Sequence, residues 1–131
     1  PDALVSASGV IAVEGCETGA PVPVRDYHGT ADTVVGYDGT DTNRVSYIGA
    51  QESVAIWRKR NGCTEASTTS VEGDVTCQAW ECDVPTELCT VSDWGHLWPG
   101  GANRTANQHD ATREAWEFYL RARALSETSA N

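Results

Sequence analysis

The cysteine spacing is the feature that most constrains the fold of this chain of 131 residues. Four of its five cysteines lie between Cys63 and Cys89, and no two of them have the Cys-x-x-Cys spacing typical of a zinc site. Disulfide bonds are therefore favoured, with a zinc site as the competing interpretation. Disulfides persist in oxidising compartments, so the sequence predicts a secreted, extracellular or periplasmic protein.

Two predicted strands and the turn between them indicate which cysteines pair. The apolar and β-branched residues of 70–82 and 87–93 predict the strands, and the intervening DVPT predicts the turn. Cys77 and Cys89 then face each other across the turn, and Cys63 is left to pair with Cys82. The candidate disulfides are Cys77 with Cys89 and Cys63 with Cys82, which leaves Cys16 unpaired.

The remaining pattern predicts an α/β fold. Strands are expected at 3–12 and 21–29, helices at 49–62 and 109–125, and a frayed tail at 126–131. This succession argues for helices layered on a parallel sheet. A parallel sheet of about four strands keeps an open edge, which predicts pairing with another segment or chain. The abrupt start at Pro1 likewise predicts that the chain begins in the middle of a domain.

The charge of the chain argues against two classes of partner. Nine Lys and Arg residues stand against nineteen Asp and Glu residues, which gives a formal net charge of -10. Such a chain repels nucleic-acid phosphates and anionic membranes. The sequence also has no apolar run near the roughly 20 residues that a membrane span needs. Neither a nucleic acid nor a membrane is therefore expected as a partner.

Two loops that follow predicted strands carry groups suited to acid–base chemistry. Asp32 lies in HGTAD after the first of these strands, and His96 lies in GHLWPGG after the second. Catalytic groups gather at the carboxyl ends of strands in open α/β sheets. An aspartate that accepts a hydrogen bond from one histidine nitrogen favours proton uptake at the other. Three further residues remain rival candidates for the acid: Asp26, Asp38 and Asp41.

The other histidines and the tryptophans have less specific settings. His28 precedes the loop glycine and is expected to orient that loop by a local hydrogen bond, whereas His109 is expected to start the last helix. Trp94 and Trp98 flank His96 and are candidates for contact with a ligand. The tryptophans in periodic segments are expected in the core: Trp57, Trp80 and Trp116.

Four sequence blocks together resemble a known family. They are PVPVRDYHGTADTVVGYDG, SVAIWRKRNGC, GHLWPGG and ATREAWEFYLRA, in this order and spanning nearly the whole chain. They resemble the C-terminal half of secreted α/β-hydrolase esterases, the polyhydroxybutyrate-depolymerase and feruloyl-esterase-like proteins. The resemblance implies a mostly parallel sheet flanked by helices, with residues 1–131 as the C-terminal portion of one catalytic domain. Gly36 stands where the family usually has proline, so no substrate role is assigned to Tyr37.

The resemblance also implies a reaction. It implies a carboxylic-ester hydrolase that works by serine acyl transfer on a polyhydroxyalkanoate or on a feruloyl or other aryl ester, without a metal or organic cofactor. Asp32 would be the acid of the catalytic triad, and His96 its general base and acid. Trp98 and Trp94 would line the substrate site.

The serine of this triad is missing from the chain. The family carries it on a G-x-S-x-G turn, and none of the nine serines here has glycine two residues before it. The nucleophile and the oxyanion hole are therefore expected upstream of Pro1, and the 131-residue chain alone is predicted to be inactive. The expected partners are an ester substrate and the missing N-terminal half of the same domain, or another chain that covers the sheet edge.

A second interpretation belongs to another class of protein. The chain would be a secreted, disulfide-bonded domain without catalytic activity that binds a carbohydrate or another polymer through Trp94 and Trp98. This interpretation requires the chain to fold alone. It also requires that a longer product containing the chain lacks esterase activity.

Overall fold

The computed structural model describes residues 2–100 and 109–129. These residues form a five-stranded sheet, a separate pair of two-residue strands and two α-helices. In chain order the elements are β1 (Leu4–Ala7), β2 (Val24–Gly29), β3 (Thr40–Asp41), β4 (Ser46–Tyr47), α1 (Ala50–Arg60), β5 (Ser67–Glu72), β6 (Val75–Trp80), β7 (Thr86–Val91) and α2 (Ala111–Ser129).

The large sheet is mixed rather than mostly parallel. Its strand order is β1-β2-β7-β6-β5. The neighbours β1, β2 and β7 are parallel, whereas β7, β6 and β5 are antiparallel. The expectation of a mostly parallel sheet from half of an α/β-hydrolase is therefore wrong. The described residues form a small, mainly β domain with a mixed sheet and two helices.

Short connections explain the antiparallel half of the sheet. Gly73 and Asp74 alone separate β5 from β6, and residues 81–85 separate β6 from β7. A parallel neighbour needs a crossover of about a dozen residues or more, so these strands pair as hairpins. Gly73 has a φ of 58°, which residues with a side chain rarely adopt. It turns the chain inside the segment that the sequence pattern indicates as one strand.

One helix packs on each face of the sheet. The cluster on the α1 face consists of Ala50, Val54, Trp80 and Leu88. The cluster on the other face includes the first residue of α2 and consists of Tyr27, Val75, Cys89, Val91 and Ala111. Because successive strand residues face opposite sides, β2 sends Asp26 and His28 to the α1 face and Arg25 to the α2 face.

Both expected helices form, but Trp57 of α1 is half-buried rather than in the core, and α2 differs in extent. This helix continues through Ser129, so the tail expected to fray at 126–131 is helical as far as the described residues extend. Its serine and threonine hydroxyls donate to carbonyl oxygens of the preceding turn. Trp116 is 60% exposed, and its expected place in the core is wrong. Neither helix in the described ranges is long and apolar enough to span a bilayer.

Two disulfides join the strands and the end of α1. Cys77 of β6 is bonded to Cys89, which lies directly opposite on β7. Cys63, just after α1, is bonded to Cys82, just after β6. Both pairs are those that the sequence pattern predicts, and Cys16 is a free thiol. The two disulfides are compatible with an extracellular location.

A buried asparagine joins α1 to the two central strands. Asn61 is fully buried at the end of α1. Its side-chain oxygen accepts a hydrogen bond from the Val22 backbone N–H at 2.9 Å. Its amide nitrogen donates to the Val22 carbonyl and to Thr86 Oγ1, each at 2.8 Å. One side chain thus satisfies backbone groups just before β2 and the hydroxyl that begins β7.

We expect Asn61→Ala to lower the free energy of unfolding by about 3 kcal/mol, because it leaves several buried polar groups without a partner. Asn43→Ala removes the same side chain from an exposed loop position and should change stability by less than about 0.5 kcal/mol. Urea unfolding followed by tryptophan fluorescence measures both. Equal stability of the two variants would show that the Asn61 contacts contribute nothing.

Candidate active site

The parallel pairing of β2 with β7 brings two loops together. The register pairs Gly29, the last residue of β2, with Val91, the last residue of β7. Both strands therefore end at the same edge of the sheet. The loop after β2 carries Asp32, and the loop after β7 carries His96.

Three hydrogen bonds hold the two loops against each other. Thr30 N–H donates to the Val91 carbonyl at 2.9 Å, and Ala31 N–H donates to the Trp94 carbonyl at 3.0 Å. In the opposite direction, Asp93 N–H donates to Thr30 Oγ1 at 2.9 Å. The position of the histidine loop is thus defined by two backbone N–H groups of the aspartate loop and by the Thr30 hydroxyl.

The absence of a side chain at Gly29 permits this close approach. A Cβ atom at Gly29 would lie 2.1 Å from the Trp94 carbonyl oxygen, far inside contact distance. Gly95, in the same histidine loop, has no atom within 4 Å of the position that a Cβ would take. The two glycines therefore differ sharply in what they tolerate.

Asp32 and His96 form a hydrogen-bonded pair. Asp32 Oδ2 lies 2.9 Å from His96 Nδ1, and Asp32 Oδ1 accepts hydrogen bonds from Val34 N–H and Val35 N–H, each at 2.9 Å. The carboxylate is fully buried, whereas the His96 side chain is 42% exposed. A proton on Nδ1 directed at the carboxylate leaves Nε2 as the basic nitrogen.

The environment of Asp32 favours its charged form. Burial by itself raises the pKa of this carboxyl, but the hydrogen bonds from Val35, Val34, His96 and Ser8 together outweigh burial and hold the pKa below its ordinary value. Ser8 follows β1 and has a φ of 58°, which is uncommon for a residue with a side chain. Asp32 is therefore a carboxylate at neutral pH, able to stabilise a protonated His96.

A second polar cluster lies beside Asp32 on the α1 face. Ser6 Oγ donates to Asp26 Oδ1, and His28 Nε2 lies 2.8 Å from the Val35 carbonyl oxygen, to which it donates. His28 Nδ1 is 3.9 Å from Asp26 Oδ2. Burial raises the pKa of Asp26 to about 7, although the Ser6 hydrogen bond partly opposes it. The predicted local hydrogen bond from His28 to its loop is present.

The two tryptophans that flank His96 differ in their surroundings. Trp94 packs against the core on the α2 face, and its indole N–H donates to the Leu97 carbonyl at 3.0 Å. Trp98 is 40% exposed and donates to Thr112 Oγ1 at 3.0 Å. Contact of either ring with a substrate stays a prediction, and Trp98 presents more surface for it.

The structure also separates the rival residues. Asp32 is the candidate aspartate that hydrogen-bonds to His96 in the described part of the chain, and Asp26 is buried apart from it. His109 does not start the last helix, which begins at Ala111. It is 4% exposed and hydrogen-bonds to Tyr27 and Glu72. The contacts of Ser8 and Thr30 escaped sequence analysis because their only local signal is a serine or threonine beside a glycine.

Comparison with known proteins finds similarity to an esterase. No family model matches the chain. Feruloyl esterase B of Piromyces equi is 30% identical over 104 residues, which cover 73% of this chain and 19% of that protein. The chain thus spans about a fifth of the length of this relative. The similarity is consistent with a hydrolase at a coarse level. In the described residues, no group of three or more His, Cys, Asp or Glu side chains is arranged to hold a metal ion.

We expect Gly29→Ala to displace the histidine loop and to lower stability by about 1–3 kcal/mol, because the added methyl group meets a backbone oxygen. Gly95→Ala is the matched control and should lie within about 0.5 kcal/mol of the wild type. Urea unfolding measures stability, and the NMR resonance of the His96 Nδ1 proton reports the bond to Asp32. Unchanged spectra for both variants would contradict the tight contact at Gly29.

Asp26 should make stability depend on pH. Between its ordinary pKa of 3.8 and its folded value of about 7, the unfolded state loses this proton and the folded state keeps it, so stability falls as pH rises. Asp26→Asn removes this loss of stability, because the amide does not titrate. We expect the variant to gain about 4 kcal/mol relative to the wild type between pH 4 and pH 8.

The control for loss of one charge is Asp38→Asn, at an exposed position of the following loop. Urea unfolding at both pH values measures the difference between each variant and the wild type. A constant difference for Asp26→Asn across this range would mean that folded Asp26 titrates at its ordinary value.

Proposed function

We propose that the chain contributes the acid and the histidine of a serine carboxylic-ester hydrolase. The observation that carries this proposal is the 2.9 Å contact between Asp32 Oδ2 and His96 Nδ1, with the carboxylate buried and the imidazole partly exposed. This is the arrangement in which a carboxylate orients a general base and stabilises its protonated form. The similarity to a feruloyl esterase supports the same chemistry.

In the proposed reaction, His96 Nε2 takes the proton of a serine hydroxyl as the serine oxygen attacks the ester carbonyl carbon. Asp32 stabilises the resulting imidazolium. When the tetrahedral intermediate collapses, the bond between carbonyl carbon and alkoxy oxygen breaks, and Nε2 returns the proton to the leaving alcohol. Water then hydrolyses the acyl-serine by the same two proton transfers, which releases the acid and restores the serine.

The attacking serine comes from outside this chain in our proposal. No serine here has the G-x-S-x-G context, and the buried Ser8 is engaged with Asp32 rather than His96. The chain would therefore be the C-terminal portion of a catalytic domain whose N-terminal portion, or another chain, supplies the serine and the oxyanion donors. Alone, the 131-residue chain would be inactive.

The proposed substrate is a feruloyl or other aryl ester, or a short polyhydroxyalkanoate. The exposed face of Trp98, two residues from His96, supports an aromatic or apolar group near the reaction. The protein would act outside the cell, where its disulfides persist. Its partners would be the ester and the segment that carries the serine.

The test compares this chain with the longer gene product that contains it, using p-nitrophenyl butyrate and methyl ferulate. We expect the chain alone to be inactive and the longer product to hydrolyse at least one ester. In the longer product, Asp32→Asn should lower kcat/KM by at least about 10³-fold, and His96→Ala by as much or more. Asp38→Asn makes the same chemical change at an exposed site and should retain activity.

Three outcomes would contradict the proposal. Hydrolysis by the 131-residue chain alone would mean that a serine in this chain is the nucleophile. Full activity of His96→Ala would exclude His96 from catalysis. Inactivity of every form would favour a polymer-binding domain, and binding to xylan or to polyhydroxybutyrate granules then tests that function directly.

A further inference from the structure

Asp26 and His28 have unsatisfied polar atoms that face each other. The Asp26 carboxylate is 5% exposed, and the His28 side chain is fully buried. Asp26 Oδ2 and His28 Nδ1 have no hydrogen-bond partner within the described part of the chain, and they lie 3.9 Å apart. Buried polar atoms are normally satisfied, so this pair requires an explanation.

The hydrogen bond at the other nitrogen of the His28 imidazole explains these unsatisfied atoms. His28 Nε2 must carry a proton, because its partner at 2.8 Å is the Val35 carbonyl oxygen, which only accepts. In a neutral imidazole, Nδ1 is then a bare acceptor. An ionised Asp26 would set two acceptors against each other in a buried site, at a large cost in free energy. One added proton between them satisfies both atoms once small side-chain movements bring them about 1 Å closer together.

We propose that Asp26 and His28 form a second, buried acid–histidine pair that shares one proton and positions the carboxylate of Asp32. His28 is the positioning residue, and it acts through Val35. The Val35 carbonyl accepts from His28, while the Val35 N–H donates to Asp32 Oδ1. His28 Nε2 is also 3.7 Å from Asp32 Oδ2, the oxygen that binds His96. The Asp26–His28 pair thus holds Val35 in place, and Val35 in turn holds the Asp32 carboxylate.

The surroundings of the pair support proton retention. Asp26 lines a cavity of about 150 Å³ whose other walls include Leu4, Val54 and Trp57. Burial raises the pKa of Asp26 to about 7. Among the described residues, the charged or titratable groups that face His28 are Asp26 on its own strand, Asp32 in the next loop and Tyr37, whose ring centroid is 5.8 Å away.

Three substitutions distinguish the effect of the shared proton from the effect of side-chain packing. His28→Gln keeps an N–H donor near the Nε2 position, whereas His28→Leu removes the donor and retains an apolar side chain. Asp26→Asn keeps a neutral donor that can reach Nδ1. His109→Leu is the control, since it removes another buried histidine that hydrogen-bonds to Tyr27 on the opposite face of the sheet.

The test is NMR of the isotopically labelled chain over pH 5 to 9. We expect the Nε2–H tautomer for His28 and a titration of the Asp26 carboxyl carbon with a midpoint near 7. His28→Leu should shift the amide of Val35, raise the pKa of Asp32 and abolish the His96 Nδ1 proton resonance. His28→Gln, Asp26→Asn and His109→Leu should retain that resonance.

Several results would overturn the proposal. They are an Nδ1–H tautomer for His28, an ordinary acidic midpoint for Asp26, or a folded His28→Leu variant with wild-type signals for Val35 and His96. Loss of the His96 signal in His28→Gln would do the same. This inference rests on the proposed esterase only for the catalytic role of the Asp32–His96 pair. Because the NMR readout needs no activity, a failed esterase assay with the expected spectra would refute the proposed reaction and leave the positioning intact.

Discussion

The parallel pairing of β2 with β7 is the interaction on which the rest of the structure depends. It ends both strands at one edge of the sheet, with Gly29 opposite Val91, and the two following loops then bond through their backbones. The Asp32–His96 contact is a consequence of that backbone arrangement rather than an independent attraction between two side chains. A carboxylate and an imidazole on flexible loops would gain little free energy from pairing in water, because both loops would have to be ordered. Here the sheet already holds the two loops in place.

Strand β2 also carries an unusual number of buried polar side chains. All six of its residues are buried, although four of them carry polar or titratable side chains. On the α2 face, Arg25 is neutralised by Glu87 at 2.8 Å and packs over the Tyr27 ring. On the α1 face, Asp26 and His28 approach the aspartate loop. Burial of so many polar groups costs stability, so the disulfides and the Asn61 contacts help to keep the sheet together.

Sequence reasoning succeeded where the signal was local or tied to a turn. The Cys77–Cys89 disulfide follows from one turn between two strands, and Cys63 with Cys82 is the pair that remains. The positions of Asp32 and His96 at strand ends place them in adjacent loops. It failed at the sheet, because residues 70–82 have β-forming composition on both sides of Gly73 and the turn is a single Gly-Asp step. It also missed the burial of Asp26 beside His28. The two-residue period of a strand places both on one face, but how deeply α1 and β1 bury that face depends on packing that the sequence of β2 alone does not encode.

The long separation between the two loops has a consequence for the kinetics of folding. Thr30 and Asp93 are 63 residues apart and Asp32 and His96 are 64 apart, so the site is assembled from contacts of high contact order. It cannot form until α1, β5 and β6 have been synthesised. The Cys63–Cys82 bond spans 19 residues of the intervening chain, and its formation shortens the loop that must close. Oxidation before strand pairing should therefore speed the last step of assembly, which links the appearance of the site to the compartment in which the chain folds.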